Sequence, residues 1–207
     1  MKAAAMQHPD NRSLGAASEH RRLADLQHLL RAHRPYDATE AAFRDQMLAL
    51  TAAAGDPLHR KHFAPGHFTA SAFVLSPDGQ AMLLILHGKL GRWLQPGGHI
   101  DPGDPDIAAA ARREVAEEVG LAEVLPDERW PGAFDLDIHP IPARTSGPVE
   151  RHEPAHAHYD VRFLWRAPSL EMRAGSDAAA ARWVPLADVA AVGTDASVLR
   201  ALAKLQT

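Results

Sequence analysis

Gly97-Gly98-His99-Ile100-Asp101-Pro102-Gly103-Asp104 leads, eight residues on, into Arg113-Glu114-Val115-Ala116-Glu117-Glu118-Val119-Gly120-Leu121. The stretch reads as a glycine-rich loop feeding a helix with three carboxylates on one side. Asp104 suits the N-cap, where a side-chain oxygen accepts from the free amides of the first turn. Pro105 suits the first helical position, which needs no amide hydrogen, and Gly120 the left-handed residue that ends a helix. The spacing predicts a helix over 105–119. Its apolar arc, Ala108, Ala111, Val115 and Val119, would pack on a sheet.

Glu114, Glu117 and Glu118 stand at i, i+3 and i+4, within one arc of that helix. Like charges so placed disfavour an isolated helix by about 0.2–0.5 kcal/mol per pair, so a cation is expected to offset them. Clustered hard oxygens with one open side suit Mg²⁺ or Mn²⁺, which keep waters and accept substrate phosphates as further ligands. Glu-x-x-Glu-Glu alone is equally the pattern of a solvated acidic face. The glycine loop directly before it favours the metal.

Residues 98–121 resemble the Nudix box, G-x5-E-x7-R-E-U-x-E-E-x-G-U, where U is aliphatic. Arg113, Glu114, Val115, Glu117, Glu118, Gly120 and Leu121 match the second half at every position. The first half departs from it: Asp104 stands for the expected glutamate, and eight residues rather than seven separate it from Arg113. The resemblance implies an α/β (α+β) fold, a Nudix-type α/β/α sandwich around a mixed β-sheet, over residues 65–207. It also implies a catalytic group of Arg113, Glu114, Glu117 and Glu118, with the Gly97 carbonyl joining the three glutamates as metal ligands.

Upstream of this, residues 1–17 carry little pattern and are expected to be flexible. A helical extension is expected over 18–60. Leu23, Leu26, Leu29 and Leu30 share one face, with Arg21, Arg22 and Arg31 outside it, and Arg34-Pro35 breaks the run. Phe43, Met47 and Leu50 then mark a second helix at i, i+4 and i+7. Such a hairpin covers a neighbouring face of the domain or a partner subunit, so a homodimer is one expected assembly.

From His67 the pattern becomes that of strands. His67 to Leu75, the turn Ser76-Pro77-Asp78-Gly79, and Ala81 to His87 read as a hairpin. Lys89 to Gln95 approaches the glycine loop, and there Lys89, Arg92 and His99 are candidates to steady phosphate oxygens. Phe134 to His139 alternates as a half-buried strand. In His156-Ala157-His158-Tyr159-Asp160-Val161-Arg162-Phe163-Leu164-Trp165, period two puts His156, His158, Asp160 and Arg162 on one face. That face is either a polar network or the wall of a substrate groove, in which His158, Asp160 and Arg162 would meet the substrate. A zinc site from His152, His156 and His158 is a weaker reading, since a strand separates such residues. Ala181 to Leu186 and then Ala187 to Val192 read as strand and short helix, and Val198, Leu202 and Leu205 mark a last helix.

The resemblance implies metal-dependent hydrolysis of a nucleoside diphosphate linked to another group. Ions on the glutamates would neutralise phosphate oxygens and acidify a water. Glu114 is the first candidate for general base, with Glu150, Glu153 and Asp160 further along the chain. A catalytically weak nucleotide-binding or regulatory module is the alternative, and the altered spacing before Arg113 gives it room. There is no cysteine, which excludes disulfides, thiolate zinc sites and a cysteine nucleophile, and argues against the isopentenyl-diphosphate isomerisation that the same fold supports with a cysteine. With 46% hydrophobic and 23% charged residues and a net charge of −4, neither a membrane nor a nucleic-acid partner is expected. No apolar run follows Lys2, and the cytoplasm is the expected compartment.

Overall fold

A computed structural model describes residues 11–88, 90–173 and 178–207. Lys89 and residues 1–10 of the expected flexible segment lie outside the described residues. The chain opens with two helices, α1 (Asn11–Ala32) and α2 (Ala38–Thr51). α1 starts ahead of the leucine period, at Asn11 rather than Ser18. Asp37 caps α2 by accepting from the Glu40 amide. Leu26, Leu30, Met47 and Leu50 are buried, as the two periods require.

The rest is built on one mixed sheet, with eight strands among the described residues. These are β1 (Gly66–Leu75), β2 (Ala81–His87), β3 (Arg92–Leu94), β4 (Gly97–His99), β5 (Leu125–Pro126), β6 (Ala133–Ile141), β7 (His156–Arg166) and β8 (Ala178–Pro185). β1 lies at the centre and is buried along its whole length. It runs parallel to β7 over its full span, pairs antiparallel with β4, and meets β2 only at Val74 and Leu75. The expected hairpin is therefore narrow at its turn, because most of β1 is committed to β7 and β4. β6 pairs with β7 and continues through Pro140, past the expected stop.

Helix α3 (Ile107–Val119) follows the glycine loop and α4 (Ala196–Leu205) ends the chain. On one side of the sheet, α1, α2 and α3 pack on Phe68, Ala70, Ala72, Val74, Val161 and Phe163. On the other, α4 and the short turn Leu186–Ala191 pack on Phe73, Leu75, Leu84 and Leu164. This is the three-layer arrangement expected from the sequence. The alternation of β1 and β7 divides their side chains between the two layers.

The N-terminal hairpin also covers the edge of β6. Glu40 accepts the Leu136 amide at 3.1 Å, and His33 Nδ1 lies 3.0 Å from the Ala133 carbonyl. Side chains from the helices thus satisfy backbone groups that an open edge would leave unpaired.

Candidate active site

α3 begins two residues later than the sequence suggests. Asp106, not Asp104, is its N-cap, accepting from the Ala109 amide at 2.7 Å. Gly120 closes it in the left-handed conformation at φ 71°, as expected. Ile107, Ala110, Ala111, Val115 and Val119 form the buried face. Glu114, Glu117 and Glu118 are left on the flank that meets β4.

Asp104 is freed from capping because its carboxylate is held elsewhere. It accepts the Asp101 amide at 2.8 Å and takes Arg113 in a two-pronged pair, Nε at 3.1 Å and a terminal nitrogen at 3.0 Å. Arg113 also donates to the His99 carbonyl at 2.8 Å. One side chain therefore ties the loop at both ends to the helix. The pair with Asp104, against the cost of burial and helped by Glu114, raises the Arg113 pKa above its ordinary value.

The remaining terminal nitrogen of Arg113 lies 2.9 Å from Glu114 and 3.1 Å from Glu117. Glu118 accepts the Gly97 amide at 2.9 Å. Glu114 is 15% exposed and Glu117 59%. Burial, offset by Arg113 and assisted by Glu117 and Asp101, raises the Glu114 pKa. A Cβ on Gly98 would stand 2.6 Å from the Glu114 carboxylate, and one on Gly97 would stand 2.2 Å from Ser71 Cβ. The two glycines thus let the loop approach both the helix carboxylates and β1.

Gly97, Gly98, His99, Arg113 and all three glutamates line a cleft of about 570 Å³, together with Arg60, His87 and Asp101. The hard oxygen donors there suit Mg²⁺ or Mn²⁺. Arg60 was not singled out in the sequence, since a lone arginine before a strand carries no pattern. Arg22 was read as an outer residue of α1, yet it donates to the Asp101 and Asp104 carbonyls at 3.1 and 3.3 Å. Only the docking of α1 reveals that contact.

Other expected site residues fall elsewhere. Arg92 is exposed on β3, opposite His87, and does not line the cleft. Arg162 is 2% exposed and donates to Asp135, Asp137 and Asp160 at 3.2, 3.0 and 2.8 Å. Asp160 also accepts from Thr69 and Ser71. Asp160 and Arg162, expected either in a polar network or on a substrate groove, stand in a buried ionic network. Asp135 and Asp137, read as the polar side of a half-buried strand, complete it. Glu153 pairs with Arg144 at 2.7 Å.

His99 and His158 stand with His67, His139 and His156 in a cluster of imidazoles whose neighbouring rings lie about 5 Å apart. Burial first, then nearby positive charge, lowers the pKa of His67 and of His99 to about 4 and of His158 to about 3. His67 was read only as the start of a strand.

A model of the NUDIX domain family matches residues 65–204. A search of curated proteins finds no match to this chain. Among solved structures, the chain is similar to a C. elegans Ap4A hydrolase in a binary complex, at 19% identity and TM-score 0.49 over 67% of this chain and 94% of that one. It is also similar to a NUDIX-family hydrolase from Clostridium perfringens, at 23% identity and TM-score 0.47 over 68% and 96%. A third is the E. coli dihydroneopterin triphosphate pyrophosphohydrolase, at 17% identity and TM-score 0.48 over 65% and 91%. With the box at 98–121 folded as loop and helix, and the family's domain matched from Pro65 to Lys204, the chain belongs to the Nudix family.

Proposed function

We propose that the chain is a metal-dependent pyrophosphohydrolase acting on a nucleoside diphosphate linked to another moiety. The observation that carries this reading is the hydrogen bond from the Gly97 amide to Glu118, which seats an α3 carboxylate on the glycine loop. Glu114, Glu117 and Glu118, with the Gly97 carbonyl, would hold Mg²⁺ or Mn²⁺. Bound there, such ions supply neutralisation of phosphate oxygens and acidification of an attacking water.

The chain's own groups do the rest. Arg113 fixes loop to helix through Asp104 and the His99 carbonyl, and its contacts with Glu114 and Glu117 would be the ones that bound cations replace. Glu114, on the cleft wall beside Gly98, is the first candidate to accept a proton from water. Arg60 and His99 line the cleft and are the candidates to meet phosphate oxygens. A net charge of −4 disfavours a nucleic-acid partner, and no helix among the described residues is long and apolar enough to cross a membrane.

One observation favours the second reading, a nucleotide-binding or regulatory module with little turnover: Arg113 bridges Glu114 and Glu117. The test is a panel of nucleoside diphosphate derivatives with Mg²⁺ or Mn²⁺, scored for product by chromatography and for binding by calorimetry. Turnover that falls at least about a hundredfold in Glu118→Gln supports the hydrolase. Binding without turnover supports the module, and an equal rate in wild type and variant removes the metal assignment.

A further inference from the structure

Three adjacent strands bring one imidazole each to the same end of the sheet. His67 on β1 is in register with His158 on β7. His99 on β4 stands opposite Thr69, two residues along β1 from His67 and so on the same face. A ring nitrogen from each of His67, His99 and His158 lies within 4.8 Å of the other two.

His67 is 1% exposed, and its Nε2 has no hydrogen-bond partner among the described residues. Its Nδ1 lies 3.3 Å from the His62 carbonyl. A carbonyl only accepts, so Nδ1 carries the proton and Nε2 keeps a free lone pair. A buried polar atom left unpaired is costly. An imidazole whose second nitrogen is held by a backbone carbonyl is also the usual arrangement of a metal-ligating histidine.

We propose that His67, His99 and His158 form a site for a divalent first-row transition ion of the zinc type, separate from the carboxylate site on α3. Neutral imidazoles suit zinc, whereas magnesium takes oxygen ligands. Each imidazole must be neutral to ligate, so protons would compete with the ion for the site. Metal–nitrogen bonds of about 2.0–2.1 Å in a tetrahedron place the nitrogens about 3.3 Å apart, a contraction that side-chain rotation supplies. Three protein ligands leave a fourth position for water or an anionic oxygen. His99 also lines the acidic cleft, so the ion stands at its border. The site rests on the histidines alone and holds whether or not the chain is a hydrolase.

Untagged full-length protein, stripped with chelator, is to be dialysed against Zn²⁺ or Co²⁺ in excess Mg²⁺ and its metal content measured. One zinc ion retained per chain, intense visible bands of tetrahedral cobalt, and retention in Glu118→Gln are expected. His99→Gln and His158→Gln, checked for folding by circular dichroism, are each expected to weaken zinc binding at least about tenfold. No stoichiometric zinc and no tetrahedral cobalt spectrum in the wild type overturns the proposal. So does zinc held equally by both histidine variants, or lost in Glu118→Gln.

Discussion

Lys204, in the last turn of α4, places its ammonium 2.8 and 2.9 Å from the two carboxylate oxygens of Glu40, in the first turn of α2. Both side chains are buried, and His33 adds a third contact at 2.8 Å. The pair joins the helical layers at the edge of β6, where Glu40 also accepts the Leu136 amide. Burial opposes the charged form of Glu40, but the bonds from His33 and Lys204 prevail and hold its pKa at about 2.

Removing one partner leaves a buried charge without its counterpart. Lys204→Met is expected to destabilise the fold by about 3–5 kcal/mol, measured by urea unfolding. Pairing it with Glu40→Gln should recover part of that loss. If the single variant unfolds like wild type, the bond does not hold the layers together.

The two loop glycines should separate stability from activity. At Gly98 the added methyl meets the far end of the Glu114 side chain, which can swing away. Gly98→Ala should therefore stay folded while losing most turnover. At Gly97 the methyl meets Ser71 Cα and the Ala70 carbonyl, which cannot move cheaply. Gly97→Ala is expected to lower the melting temperature and disrupt β4 pairing. Thermal unfolding and a rate assay on both proteins check this.

Asp104 holds Arg113 and does not line the cleft. Asp104→Ala should reduce metal affinity or kcat by about 10–100-fold, the usual effect of losing a supporting partner. Asp104→Asn should recover part of it by keeping a bond to Arg113. Metal titration of the two variants separates this positioning role from mere loss of stability, which would leave metal affinity unchanged in folded protein.

Arg162→Met tests the buried network against a substrate role. It takes the buried guanidinium from Asp135, Asp137 and Asp160, of which the first two keep Arg200 and the third keeps Thr69 and Ser71, so a loss of about 3 kcal/mol is expected. If instead stability holds and only KM rises, Arg162 belongs to the groove.

Acid should weaken the metal-free protein in two stages. The pKa values of His67, His99 and His158 are depressed in the fold to about 4, 4 and 3, so below the unfolded value of 6.5 the unfolded chain takes up protons first. Stability then falls as pH drops from about 6.5 towards 4, by at most about 1.4 kcal/mol per pH unit for each histidine. Glu40 adds a second loss between about pH 4.5 and 2, as its own depressed pKa is approached. Urea unfolding across this range measures both, and a flat profile between pH 7 and 5 would contradict the buried neutral histidines.

The acidic helix, its glycine loop and its left-handed end were legible in the chain, because capping and helical periodicity depend on residues a few positions apart. The N-cap was misplaced. Asp104 and Asp106 offer the same local chemistry, and only Arg113 folding back onto Asp104 leaves the cap to Asp106. The alternation of His156 to Trp165 likewise showed which residues share a face, and left open what that face does.

The sequence by itself determined the family box, the helices and longer strands, and which residues of β7 share a polar face, all of which follow from short-range spacing, but not the short strands β4 and β5. Tertiary structure alone decided that Arg162 meets Asp135 and Asp137, that Glu40 meets Lys204, and that His67, His99 and His158 share one corner. Those contacts depend on the parallel register of β1 with β7 and on β4 returning beside β1. Strand pairing joins residues far apart in the chain, and no local pattern encodes which ones will meet.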